Sequence, residues 1–198
     1  MKEKEKMLKE MMYDANNDPE LLKERMFAKE LCFEFNNTNP KEESKQKEIL
    51  KKLLGKSSNS FCILAPFYCD YGYNIEIGET FFANHNLVIL DGAKVSFGDN
   101  VFIAPNCGFY TAGHPLDKER RNKGLEYAYS IKVGSNVWIG AGVQVMPGVT
   151  IGDNVVIGGG SVVVKDIPSN SLAVGNPCKV IRSITEEDKN RNWDRYSK

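Results

Sequence analysis

Two histidines, His85 and His114, stand in this chain of 198 residues. A neutral imidazole, with an unperturbed pKa of about 6.5, can take a proton from a hydroxyl near neutral pH, so histidine is the first candidate for general-base work. His114 lies in Thr111-Ala112-Gly113-His114-Pro115, at the start of a charged stretch, where a lone histidine reads as an ordinary surface residue. The five cysteines (Cys32, Cys62, Cys69, Cys107 and Cys178) are odd in number and lack CxxC or metal-ligand spacing. They read as small buried hydrophobes in a reducing compartment, and no metal site is expected.

The elements that must position these residues are legible in a period. Val133, Ile139, Val145, Ile151, Ile157 and Val163 recur six residues apart, and glycine follows four of them, as Gly134, Gly140, Gly152 and Gly158. A period of six is neither that of a helix nor that of a simple strand; it predicts a hexapeptide coil of short stacked strands. Strand side chains alternate, so Ile131 and Val133, Val137 and Ile139, and Val149 and Ile151 face inward in pairs. Trp138 sits between two inward residues and must point out, where an exposed tryptophan marks an interface or a ligand. Further steps at Ile77, Phe97, Ile103 and Phe109 extend the coil, with a phase slip of two residues between Ile77 and Phe97 that predicts a bulge or a short extruded loop. From about 111 to 130 the repeat lapses into charged, turn-rich sequence, which predicts a loop projecting from the coil.

Residues 1–56 differ in character. They are Lys/Glu-rich with helical spacing, as suits a helical cap closing one end of a repeat stack. A short helix is expected over 3–13. A second opens at Asp18-Pro19, with Leu21, Leu22, Met26, Leu31 and Phe35 sharing an apolar face. A third opens at Asn39-Pro40, with Glu42 placed for a capping box, and stops at Gly55. The coil and its C-terminal cap are assigned to 57–185 and a tail to 186–198. Lys and Arg total 26, as do Asp and Glu, so the net charge of zero carries no nucleic-acid footprint. No apolar run is long enough to span a bilayer, and the charged start does not read as a secretory signal, so a cytoplasmic location is expected.

Several stretches occur together in a set order: Asp70-Tyr71-Gly72-Tyr73-Asn74-Ile75, Phe81-Phe82-Ala83-Asn84, Ile103-Ala104-Pro105-Asn106, Thr111-Ala112-Gly113-His114-Pro115, Asn136-Val137-Trp138-Ile139-Gly140 and Gly175-Asn176-Pro177-Cys178. With the Tyr13-Asp14 and Asn39-Pro40 segments they resemble the maltose and galactoside O-acetyltransferases over about residues 5–185. The resemblance implies a mainly β fold, a left-handed parallel β-helix with an N-terminal α-helical cap and a projecting loop. It also implies a homotrimer with active sites between subunits, and acetyl transfer from acetyl-CoA to a sugar hydroxyl.

The resemblance further implies residue roles. His114 matches the family's catalytic histidine, a general base for direct attack of the acceptor hydroxyl on the thioester. The Ala141 N–H matches the oxyanion donor. Asp14, Asp70 and Asn84 match sugar-contacting positions, while another family carboxylate falls on Gly92, beside Asp91. Trp138, Gly159, Val164, Lys165, Lys179 and Arg182 match positions that hold coenzyme A, the cations gripping its phosphates. Residue chemistry leaves other readings open: Asp14 as a cap, Asp70 and Asn84 as turn residues, the cations as a solvated rim. An antibiotic, a serine or an amino sugar are alternative acceptors, and a non-catalytic trimeric scaffold is an alternative to an enzyme. Zinc-dependent chemistry known on this fold needs three histidine ligands per site, and the chain has two histidines in all.

Overall fold

A computed structural model describes residues 1–191. Three parallel sheets wrap one axis as a β-helix of about six turns. The inward pairs fall where the six-residue period puts them. Ile131, Val133, Val137, Ile139, Val149 and Ile151 are all buried, whereas Trp138 between two of them is 55% exposed. Near the helical end the interior is filled by aromatic rings, Phe97 packing edge-on against both Phe81 and Phe109.

The strands meet at three edges. Along the first, residues 78–80, 98–100, 134–136 and 152–154 stack with bonds running between turns: Ser135 N–H donates to Asp153 Oδ1 at 2.7 Å and Asp153 N–H to Ser169 Oγ at 2.9 Å. Asn100, Asn136 and Asn154 take positive φ there, which asparagine tolerates better than most residues. The glycine that opens each corner answers a packing need: a Cβ on Gly134 would lie 2.8 Å from the Gly152 carbonyl carbon. The second edge comprises residues 64–66, 84–86, 104–106, 140–142 and 158–160.

The third edge accounts for the phase slip. Inward Cys69 is followed by Ile77 and inward Ile89 by Phe97, eight residues on rather than six. The corners at 70–74 and 90–94 are each longer by two, and the next turn extrudes 111–130 at the same place. This excursion is more ordered than a plain loop. Strands Ala112–Gly113 and Leu125–Ala128 pair antiparallel, and Tyr13–Asp14 adds a third strand on the far side.

Helices α1 (Glu3–Leu8), α2 (Pro19–Asn37) and α3 (Glu43–Leu53) precede the first coil strand, Lys56–Ser57. Asp18 caps α2 as its sequence predicts, accepting from Leu21 N–H at 2.9 Å. The remaining helical expectations need correcting. α1 ends at Leu8 rather than 13, because Glu10 turns the chain at positive φ and Tyr13 joins a sheet. α3 starts at Glu43 without a capping box, since Asn39 spends its side chain on a turn to Lys41 N–H. On α2, Leu22 and Met26 are exposed; Leu21, Ala28, Leu31, Cys32 and Phe35 form the buried stripe. Four cysteines are buried free thiols and Cys62 is exposed. At the other end, Lys179–Ser183 returns antiparallel along Ser171–Val174, and Glu186–Asn190 forms a 3-10 turn; residues 192–198 of the expected tail lie outside the described residues. Among the described residues no helix is long and apolar enough to cross a membrane.

Candidate active site

The lengthened corners of the third edge and the small antiparallel sheet above them enclose a cleft of about 400 Å³ against α2. Its chemistry comes from Arg25 and Lys29 of α2, Asp70 of the first long corner, and His114 and Glu126 of the excursion. Strand register sets these positions: Tyr13 lies opposite Glu126, Asp14 opposite Leu125, and Gly113, next to His114, opposite Tyr127.

His114 Nδ1 is 3.0 Å from the Leu125 carbonyl oxygen. A carbonyl only accepts, so Nδ1 carries the proton and the Nε2 lone pair is left for a ligand. Glu126 Oε1 lies 3.8 Å from that Nε2, beyond a direct hydrogen bond. Glu126 is steadied through its other oxygen, which accepts from Tyr13 Oη at 3.3 Å. Burial, with the neighbouring Glu126 carboxylate, pushes the Tyr13 phenol up and keeps it a donor. His85, on the second edge, is turned away with Nδ1 against the Ala65 carbonyl.

Asp70 lies in the cleft, its carboxyl raised above the usual range by burial and held back by the Arg25 charge. Arg25 is fixed by donating to Tyr71 Oη at 2.9 Å and to the Ala15 carbonyl at 2.6 Å. Behind them is Asp91, fully buried. Its Oδ1 accepts from the Asp70 and Tyr71 N–H groups at 3.0 and 2.9 Å, and its Oδ2 has no partner. Burial pushes its carboxyl up to about 7. Asp91 therefore holds up the corner that presents Asp70 and does not itself face the cleft. At the neighbouring Gly92 a Cβ would lie 2.9 Å from Tyr13 Oη, so a side chain there would require the buried Tyr13 ring to shift.

The other sequence-predicted residues are distributed as follows. The Asp14 carboxylate is engaged by the Asn16 and Asn17 N–H groups and by Asn17 Nδ2, at 3.0–3.1 Å. Burial acts to raise its carboxyl, but these bonds win and hold it below the ordinary value. Asn84 stands on the second edge with its Oδ1 on the His85 N–H at 2.8 Å. Ala141 and Gly159 share that edge, where the Gly160 N–H donates to the Ala141 carbonyl at 2.8 Å. Gly140 and Gly142 donate into the stack, to Ile157 and Pro105, whereas no acceptor among the described residues takes the Ala141 N–H. Val164 and Lys165 are exposed on the third edge, below the excursion. Lys179 and Arg182 lie on the return strand, and Arg182 is clamped by both carboxylate oxygens of Asp188, at 2.7 and 2.8 Å. One chain therefore gathers Asp70 and His114 in a single cleft and leaves Asn84, Ala141 and Gly159 on another edge of the prism.

Arg25, Lys29, Leu125 and Glu126 are missing from the sequence-level set. Arg25 and Lys29 look like any helix cations. The strand carrying Leu125 and Glu126 has a faint signal, an alternating Leu-Glu-Tyr-Ala after a glycine, but it is masked by the charged loop around it.

The family comparisons agree with this architecture. A model for the maltose acetyltransferase hexapeptide capping motif matches residues 6–58, and one for the bacterial transferase hexapeptide (six repeats) matches residues 130–165. The YJL218W protein of Saccharomyces cerevisiae is 59% identical over 177 residues, 89% of this chain and 90% of that one. The crystal structure of a maltose O-acetyltransferase from Clostridium difficile 630 superposes with a TM-score of 0.92 at 54% identity, covering 94% of this chain and 99% of that one. A galactoside acetyltransferase in complex with coenzyme A gives the same TM-score, 0.92, at 42% identity, covering 99% and 98%. With a capping motif, hexapeptide repeats and likeness along nearly the whole length, this chain belongs to the hexapeptide-repeat acetyltransferases, in the branch of the maltose and galactoside enzymes.

Proposed function

We propose that this protein transfers the acetyl group of acetyl-CoA to a hydroxyl of a small sugar of the maltose, glucose or galactoside kind, at sites between the protomers of a homotrimer. The observation that carries the reading is the His114 ring: one nitrogen is held by a backbone carbonyl and the other turned into a polar cleft lined by two carboxylates. Among the described residues no thiol or serine lines that cleft, and Cys107 directs its sulfur at the Gly140 carbonyl, so direct attack is favoured over an acetyl-enzyme. His114 Nε2 takes the acceptor proton as the hydroxyl oxygen bonds to the thioester carbon. The tetrahedral oxyanion is met by the Ala141 N–H. When the C–S bond breaks, the imidazolium returns the proton to the leaving thiolate, and the products are the acetyl ester and free coenzyme A.

Two observations support the trimer. The matched residues fall on two edges of one prism, so a neighbour's second edge is needed to complete the site. One face also carries an outward apolar ladder in continuous cross-strand register: Cys62, Phe82, Phe102, Trp138, Val156 and Leu172. Lys132, Ser96 and Glu76 occupy the outward positions of another face, as suits solvent.

The donor set also suits coenzyme A. Gly159 and Gly160 leave a flat corner, with open space where a Gly160 Cβ would project, and Lys165 and Lys179 are exposed and can meet phosphates. Thiol release from acetyl-CoA against maltose, glucose, galactosides, chloramphenicol and serine tests the reading. Turnover is expected with sugars, and His114→Ala should lower it by roughly 10²–10⁴ with the assembly intact. Near-wild-type turnover in that variant would remove His114 from the mechanism.

A further inference from the structure

The core between α2 and the coil holds two thiols in contact. Cys32 Sγ on α2 lies 3.8 Å from Cys69 Sγ on the coil strand Phe67–Cys69, 37 positions away in sequence, and both thiols are free. We propose that these two cysteines are an oxidisable pair, a modification site at which a small peroxide closes an intramolecular disulfide between α2 and the strand leading into Asp70. The inference goes beyond acetyl transfer and is read out covalently, so its failure would leave that reading untouched.

A clamp one helical turn away sets the sulfurs opposite each other. The Asn36 side chain donates from Nδ2 to the Phe67 carbonyl at 3.0 Å and accepts from the Phe67 N–H at 2.8 Å, which pins α2 to the strand in one register. Asn36 shares a helix face with Cys32, and Phe67 shares a strand face with Cys69, so both cysteines enter the same seam. The strand is fixed by parallel pairing to Leu87–Ile89, so closing the sulfurs to the ~2.0 Å of a disulfide falls to α2, which carries Arg25 and Lys29. Cys107 instead turns its thiol to the Pro105 and Gly140 carbonyls. Roles within the pair follow from the surroundings. The bond from Cys69 draws the Cys32 thiol below its ordinary range, while that bond and burial push the Cys69 thiol up. Cys32 is thus the nucleophile. Its thiolate bonds to one peroxide oxygen, the O–O bond breaks, and the departing hydroxide leaves as water with the proton Cys32 gave up. The Cys69 sulfur then attacks the Cys32 sulfenic acid, the S–O bond breaks, and the Cys69 proton leaves with that hydroxyl as a second water. The two thiols lose two electrons, and the peroxide gains them. Both cysteines are buried, so peroxide, little larger than water, reaches Cys32 during local opening of α2, more slowly than it reaches exposed Cys62.

The test treats folded wild-type protein with excess hydrogen peroxide, quenches it, alkylates it in denaturant and digests it with chymotrypsin, which separates Cys62 from Cys69 at Phe67 and Tyr68. Mass spectrometry should find one linked peptide pair joining Cys32 to Cys69, lighter by two hydrogens, with Cys107 and Cys178 alkylated and the link undone by dithiothreitol. The bond closes a long loop of the unfolded chain, so the oxidised form should melt several degrees above the reduced form, compared in Cys62→Ser protein so that the exposed thiol does not react. Cys69→Ala removes the resolving thiol, and dimedone should then capture Cys32 as its sulfenic acid; wild type should give about tenfold less of that adduct. Recovery of Cys32 and Cys69 as alkylatable thiols after Cys62 is fully oxidised overturns the proposal. So does a Cys32 adduct as abundant in wild type as in Cys69→Ala, or a linked pair that forms only when denaturant precedes the peroxide.

Discussion

Three carboxylates in this protein have three different fates, each set by what surrounds it. Asp14 is spent on a turn, Asp70 is offered to a cleft, and Asp91 is sealed behind it with one oxygen bare. Because burial raises the Asp91 pKa from 3.8 to about 7, the folded protein binds a proton there that the unfolded chain has lost. Stability from this group is therefore full below about pH 4 and lost as pH rises toward 7. Asp91→Asn keeps the Oδ1 acceptor for Asp70 and Tyr71 and removes the titration. Denaturation curves should show the variant gaining on wild type between pH 4 and 8; a constant difference would mean that Asp91 does not titrate in that window. At the proposed cofactor end, Lys165→Ala should raise KM for acetyl-CoA several-fold and leave that for the sugar alone. Arg182→Ala should do so less, because a phosphate must first displace the exposed Asp188 pair. The reverse pattern, with sugar KM rising, would contradict the assignment.

Among the elements, the three-stranded sheet matters most to the site. Its strands come from residues 13–14, 112–113 and 125–128, so the helical cap directly braces the arm bearing His114. Asp18 fixes where α2 begins, and α2 delivers Arg25 and Lys29 to the cleft. Asp18→Ala should cost about 0.5–2 kcal/mol of stability, read as a lower midpoint in denaturant. An unchanged midpoint would show that α2 is held by packing of Leu21, Ala28, Leu31 and Phe35 alone. The excursion is anchored in the same way at its tip, where Asp117 caps α4 (Lys118–Asn122) by accepting from Arg120 N–H at 2.9 Å.

At the scale of the whole molecule, each turn buries little, and stability comes from the sum of stacked neighbours. Truncating one rung should still be felt: Ile139→Ala, at a fully buried position, is expected to cost about 2–5 kcal/mol. The proposed trimer rests on the outward ladder. Trp138→Lys should leave circular dichroism unchanged yet move sedimentation from trimer to monomer, with acetyl transfer lost if each site is shared as proposed. A monomer of full activity would refute the shared site.

Much of this was legible in order of residues, and the reason is periodicity. A six-residue repeat depends only on side chains alternating in short strands, so inward positions, outward Trp138 and the extruded segment could be read locally from the chain. The same holds for the Asp18 cap, a bond between near neighbours. What needed the tertiary structure was every contact made by residues far apart in sequence. Tyr13 meets Glu126 across 113 positions, and Asp91 meets Tyr71 only because two lengthened corners stack at one edge. The charged loop hid the strand carrying Glu126, since its partners are a distant segment and the far arm of the same hairpin. The order of residues singled out His114, Asp70 and the C-terminal cations; folding added Arg25, Lys29 and Glu126 and decided which groups share a cleft, because only a closed coil turns distance along the chain into adjacency in space.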